Sequence, residues 1–181
     1  VQELKSAVEM KLQRLIAQNP LRTDFQKHFE KIVEEYNREK DRVTIEKTFA
    51  DLLKAAQDLD EEERRAVREG LNEESLALFD LLKKPELNPR QIKRIKAVSV
   101  ELLQTLKEEK LRVDQWRDKE ATRDAVRVTI HDFLYSDKTG LPLPHYPELE
   151  VKKKAEEIYR HVFRVYPTIP SPFYQAVAET G

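Results

Sequence analysis

Cysteine is missing from this 181-residue chain. Disulfides, thiolate metal sites and cysteine nucleophiles are thereby excluded. Glycine is almost missing too: Gly70, Gly140 and Gly181 are the only three. An all-β fold needs more turn glycine than that, and phosphate-cradling loops need it in clusters. Neither sign of charge is in excess, since 33 basic and 34 acidic residues leave a formal net charge of −1. Global attraction to nucleic acid or to a membrane is therefore not expected. No apolar run approaches membrane-spanning length, and no stretch reads as a signal peptide. The first residue is Val1 rather than Met, as expected of an excised or processed piece of a longer protein. The composition that remains is that of a cytosolic helical domain, long enough to bury roughly two thirds of the unfolded chain's surface. Its apolar residues are periodic and not sparse, which argues against disorder.

The periodicity is helical throughout. Residues 2–18 carry Leu4, Val8, Leu12, Leu15 and Ile16 on one stripe, and Asn19-Pro20 stops them. Thr23 and Gln26 form a capping-box pattern ahead of Phe25, Phe29, Ile32, Val33 and Tyr36, with His28 beside that stripe as a structural residue. Asp41 to Thr44 reads as a connection to a third helix bearing Ile45, Phe49, Leu52, Leu53, Ala56 and Leu59. Asp60 and Glu63 either cap a short fourth segment through Ala66 and Val67, or DLDEEERR continues the third helix. Gly70 is the natural stop, and Asn72 caps the next helix, EESLALFDLLKK, with Leu76, Phe79 and Leu82 as its buried edge. Asn88-Pro89 starts another, with Ile92, Ile95, Ser99, Leu102, Leu103 and Leu106 leading to Lys110.

The densest pattern lies between Trp116, the only tryptophan, and Pro142. Val126, Ile130, Phe133 and Leu134 share one helical face, while Ala121, Ala125 and Val128 form a smaller strip half a turn away. Two apolar sides predict a helix sandwiched inside a bundle. The following LPLPHYP, residues 141–147, has three prolines and should be extended and packed across the bundle. Pro147 starts a last long helix with Val151, Ala155, Ile158, Val162 and Tyr166 buried, Tyr159 and Phe163 flanking, and Lys152 to Lys154 solvated. Phe173 and Tyr174 then pin a proline-rich tail back on the bundle. The predicted fold is all-α, an irregular multi-helix bundle of about seven or eight helices with an extended proline-rich segment before the last long one. Residues 1–166 form the helical domain, divisible into 1–68 and 70–166, and 167–181 the tail.

No catalytic constellation stands out. Di-iron bundles need paired Glu-x-x-His motifs, whereas Glu157 and His161 are four apart and have no counterpart. His28, His131, His145 and His161 fall in different elements, so no shared metal site is expected. No serine sits in a nucleophile elbow, and no carboxylate stands out in an apolar surround. The best polar candidate is Arg123, Arg127 and His131, spaced i, i+4, i+8 between the two apolar strips. Charges there must pair, either with carboxylates such as those of residues 73–80 or with an acidic partner surface or phosphate. Arg90, Lys93, Arg94 and Lys96 lie off their helix's apolar stripe, as a solvated basic face or a contact to nucleic acid or a partner.

Three blocks, LRTDFQKHFEKIVEEYN at 21–37, REGLNEESLALFDLLKKPEL at 68–87 and DQWRDKEATRDAVRVTIHDFL at 114–134, together resemble the C-terminal helical region of the R (motor and endonuclease) subunit of type I restriction enzymes. In the third, Trp116, Arg117, Thr122, Arg123, Ala125, Val126, Arg127, Ile130 and Leu134 match the family pattern, and a last helix ending near HVFRVY follows. The similarity spans about residues 20–166. It implies a parent protein that is an ATP-dependent, site-specific deoxyribonuclease with nuclease and helicase-like domains, in a bacterial or archaeal cytoplasm. It implies for this chain a non-catalytic assembly module that docks the DNA-translocating motor onto the methyltransferase and specificity subunits. No family catalytic residue maps here, and ATP and Mg would bind other domains of the parent, so no cofactor is expected in this chain. The alternatives are a DNA-contacting bundle, using Arg90, Lys93, Arg94 and Lys96 or Lys152 to Lys154, and an unrelated helical interaction domain.

Overall fold

A computed structural model describes residues 1–39 and 41–174. The remainder of the expected proline-rich tail lies outside the described residues. Among those described there are eight α-helices, one 3-10 turn and no strand, as the periodicity predicts. The chain divides between Glu73 and Glu74 into two compact units.

The first unit holds α1 (Gln2–Gln18), a 3-10 turn (Pro20–Arg22), α2 (Thr23–Arg38), α3 (Arg42–Glu63) and the short α4 (Arg65–Arg68). Its core joins Val8, Leu12 and Leu15 of α1 to Phe29 and Ile32 of α2 and to Leu52, Ala55 and Leu59 of α3. Asn19 both ends α1 and starts the turn, its side chain accepting from the Leu21 N–H at 3.1 Å. That turn leads straight into α2, so the expected Thr23 and Gln26 capping box does not form. Thr23 is already helical, and Gln26 donates to Glu30 at 2.8 Å. Asp41 is a cap rather than part of a connection: its carboxylate accepts from Thr44 N–H at 2.7 Å, which holds its pKa below the ordinary value. The α3 helix runs to Glu63 and breaks at Arg64 before α4, so DLDEEERR is split between the two. Gly70, at φ +71°, takes the left-handed conformation that a helix stop favours.

The buried line of α3 is Thr48, Leu52, Ala55 and Leu59. Ile45, Phe49 and Leu53, which the sequence placed on the core stripe, are 38%, 47% and 42% exposed. The helix has apolar residues at two offsets of the same period, and only one can face α1 and α2.

Arg22 was not singled out by sequence and is only 3% exposed. Its Nε reaches Glu62 at 3.0 Å, one terminal nitrogen reaches Glu73 at 2.9 Å, and the other donates to Leu15 O at 3.0 Å and Gln18 at 3.3 Å. A buried guanidinium is tolerable when its donors are used in this way. Burial still pushes the Glu73 carboxyl above its ordinary pKa, against the pull of Arg22.

The second unit holds α5 (Glu73–Leu82, from Glu74 onward), α6 (Pro89–Glu109), α7 (Glu120–Tyr135) and α8 (Glu148–Val165). Leu76, Ala77, Leu78, Phe79 and Leu82 bury α5 on all sides. A full capping box between Asn88 and Gln91 starts α6, with Pro89 in the first turn. Gly140 closes α7, because a Cβ there would run into the carbonyl oxygens of Leu134 and Ser136. The segment after it is not extended throughout. Residues 143–145 turn, and the Tyr146 N–H returns to Pro142 O at 3.2 Å. The turn inserts the Tyr146 ring, whose hydroxyl donates to Leu82 O at 2.7 Å.

Trp116 is fully buried. Gln115, at φ +51°, bends the backbone just before it. The indole N–H donates to Tyr166 O at 2.8 Å, and Phe163 packs edge-on at 5.9 Å. Tyr166 is buried in turn, donates its hydroxyl to Glu74 at 2.6 Å and stacks on Tyr174 at 5.7 Å. The Tyr174 contact is the tail anchor expected from sequence, while Phe173 stays 40% exposed.

On α8, His161 is buried and its Nε2 has no hydrogen-bond partner. Burial, with the nearby Arg164 charge adding to it, pushes its pKa down to about 4. The folded state therefore favours neutral His161. The associated stability is present above the ordinary histidine pKa and is lost as pH falls towards 4.

Two measurements test this packing. Trp116→Ala should destabilise by roughly 3–5 kcal/mol in denaturant unfolding, as expected for deleting a large buried ring; an unchanged midpoint would place the indole outside the core. His161→Leu should keep or raise stability at pH 7. Between pH 7 and 4.5 it should lose about 2–3 kcal/mol less than the parent. Parallel pH curves would show that His161 does not titrate with unfolding.

Candidate functional site

The α7 helix begins at Glu120 without a side-chain cap. Thr122 fastens its start by donating to Lys119 O at 3.0 Å and Trp116 O at 2.5 Å. Val126, Ile130 and Leu134 are its buried line. The second apolar strip is only partly covered: Ala125 is half-buried, Ala121 is exposed and Val128 is 55% exposed. So α7 packs against both α8 and α6 but leaves part of its second strip at the surface. The residues between the strips consequently lie at the margin of the packed face, where charge is tolerated.

Arg127 lies over the Tyr159 ring at 4.3 Å and pairs with Glu156 of α8 at 3.3 Å. Its carboxylate partner thus comes from α8, not from residues 73–80. In that segment Glu74 pairs with Lys107 at 2.6 Å, and Asp80 with Lys83 at 3.0 Å. Arg123 donates to Arg117 O at 2.7 Å. Arg117 lies over the Phe163 ring at 5.2 Å and donates to Phe163 O at 2.9 Å. Tyr159 and Phe163 are neighbours at 6.1 Å. His131 stands apart and stacks on Tyr135 at 4.3 Å, whose hydroxyl donates to Glu148 O at 2.8 Å. The structure therefore groups Arg123 and Arg127 with Arg117, Tyr159 and Phe163. Arg117 and the two rings were missing from the expected polar site. Their signal was the Trp116–Arg117 pair and the i, i+4 spacing of Tyr159 and Phe163, which read as core flank.

The basic residues of α6 are not one site. Arg94 holds the exit of α7, donating to Gly140 O at 3.0 Å, Lys138 O at 2.9 Å and Asp137 O at 3.4 Å. Lys96 lies 5.8 Å from the Phe79 ring centroid. Arg90 and Lys93 are exposed. Of the three lysines expected to be solvated, Lys152 and Lys153 are exposed, but Lys154 donates to Leu81 O at 2.8 Å and is largely covered. A histidine site does not assemble either. His28 is exposed, His145 bonds Gln91 at 2.8 Å, and among the described residues no group of three or more metal-ligating side chains gathers. Among the same residues no helix is long and apolar enough to cross a membrane.

The site is a cationic surface built on aromatic rings. Guanidinium groups resting on rings gain cation–π attraction and are held flat. Such an arrangement can bind anions. Comparison with curated proteins and with solved structures finds no match. A protein family does match, described as "Type I restriction enzyme HindI endonuclease subunit-like, C-terminal", over residues 1–165. The match takes in both units' helices, including α1, which the sequence resemblance left out. With the all-helical architecture and the tryptophan-bearing stretch in agreement, the chain belongs to the type I restriction enzyme HindI endonuclease subunit-like C-terminal family.

Proposed function

We propose that this chain is the assembly module of its endonuclease subunit, docking the ATP-dependent, DNA-translocating and DNA-cleaving motor onto the methyltransferase core. The chemistry belongs to other domains of the parent, which would hold ATP and Mg. The family membership supports the setting, a restriction endonuclease subunit. The observation that carries a docking role is the outer face of α3. Ile45, Phe49 and Leu53 recur at i, i+4 and i+8 and are each more than a third exposed. Single exposed apolar residues are ordinary, but a contiguous row along a helix is the signature of a helix-reading interface. In the docking reading, a groove or helix of the methyltransferase core covers this row.

The full endonuclease subunit carrying Phe49→Asp and Leu53→Asp is the test. Its affinity for the methyltransferase core should fall at least about tenfold, the equivalent of roughly 1.4 kcal/mol, with the melting temperature unchanged. Equal binding by the double variant would remove the α3 face from the interface. Failure of the unaltered subunit to bind the core would remove the docking role.

A further inference from the structure

We propose that the cleft between the start of α6 and the loop leaving α7 receives an extended segment of the methyltransferase core, one that presents an aliphatic side chain beside a carboxylate. The inference rests on the docking reading and gives the partner a second point of contact, in addition to the α3 row.

The cleft has a volume of about 430 Å³ and is lined by Arg90, Gln91 and Arg94 of α6 and by Asp137 and residues 141–143 of the loop. Its two walls are tied together by their own contacts. Arg94 donates from Nε to Gly140 O at 3.0 Å and from a terminal nitrogen to Lys138 O at 2.9 Å. Gln91 bonds His145 at 2.8 Å, and the buried Tyr146 next to it holds the loop down through Leu82 O. The shape is therefore set before a ligand arrives, and less entropy is lost when one binds.

The groups that the walls leave unanswered describe the occupant. Arg90 is exposed, and its guanidinium makes no hydrogen bond or ion pair among the described residues. Asp137 is exposed too, and only its backbone carbonyl is engaged, by Arg94 at 3.4 Å. Leu143 is 65% exposed, although Leu141 two residues earlier is buried. Other exposed charges nearby in sequence are mixed, Lys93 and Lys138 against Glu86 and Asp132. Selection thus comes from the arrangement inside the cleft and not from a net field. A free guanidinium, a free carboxylate and an aliphatic wall together match a peptide. Its side-chain carboxylate meets Arg90, its amide N–H groups meet Asp137, and its aliphatic side chain lies against Pro142 and Leu143. A guanidinium can take a carboxylate through two parallel bonds, which fixes where the acidic residue sits. A phosphodiester strand would be repelled by Asp137 and would leave the aliphatic wall unused.

The test is the affinity of the complete endonuclease subunit for the methyltransferase core. Arg90→Glu with Leu143→Asp alters two exposed side chains that bond to nothing else among the described residues. Core binding should weaken at least about tenfold, with the melting temperature unchanged. Arg112→Glu with Val113→Asp makes the same charge change at exposed positions beyond the other end of α6, about 30 Å along the helix, and should leave binding as it was. Failure of the unaltered subunit to bind the core would end the docking reading and this proposal with it. Equal binding by the unaltered subunit and the cleft variant would overturn the cleft alone. So would an equal loss in the Arg112 variant, the mark of a general charge effect. A cleft variant that keeps the core but loses a labelled DNA duplex would make this a nucleic-acid surface, and would overturn the proposal as well.

Discussion

The hydrogen bond from the Trp116 indole to the Tyr166 carbonyl is the point from which the second unit can be understood. It joins residues fifty positions apart in sequence, the lead-in to α7 and the end of α8. An indole N–H buried without an acceptor would cost far more than the bond itself contributes, so the two segments are fixed together. The other contacts depend on that junction. Tyr166 reaches from it to Glu74 at the start of α5, and Lys107 of α6 contacts both Glu74 and the Tyr166 ring. Phe163, held edge-on against Trp116, is in turn the ring on which Arg117 rests. The cationic face is thus a consequence of how the tryptophan is buried.

The first unit is organised by an equivalent constraint of opposite chemistry. Arg22 is buried as a charge and must be answered by Glu62, Glu73 and backbone oxygen. That fixes the 3-10 turn, and the turn fixes how α2 begins. Replacing a local cap at Thr23 by a long-range ion network makes the start of α2 depend on α3 and Glu73, which no window of sequence around Thr23 could reveal.

Helix positions were largely legible because periodicity is a local property. The Leu12–Leu15 stripe, the Asn88 cap, the Gly70 stop and the Val126–Ile130–Leu134 line all follow from spacing and capping chemistry. Facing was legible only where a helix had a single apolar stripe. On α3 and α7 two stripes competed, and the choice lay with neighbours remote in sequence. The candidate site was half legible for the same reason. Arg123 and Arg127 stood out by their spacing, but the rings beneath Arg117 and Arg127 come from α8, and Tyr159 and Phe163 had been read only as core flank. Arg94 looked like its basic neighbours until the exit loop of α7 was folded against it. The proline segment misled in another way: proline disfavours helix, but that leaves turn and extended chain equally open, and burying Tyr146 selects the turn.

On the proposed reading this helical region holds a protein partner, through the exposed apolar row of α3. The central claim is that assembly of the endonuclease subunit with the methyltransferase core depends on this region. The most direct measurement is mass photometry of that core mixed with the complete endonuclease subunit and with a subunit truncated just before this region. The account predicts a complex with the complete subunit and free components with the truncated one, whose remaining domains stay folded. A truncated subunit that assembles with undiminished affinity would contradict it.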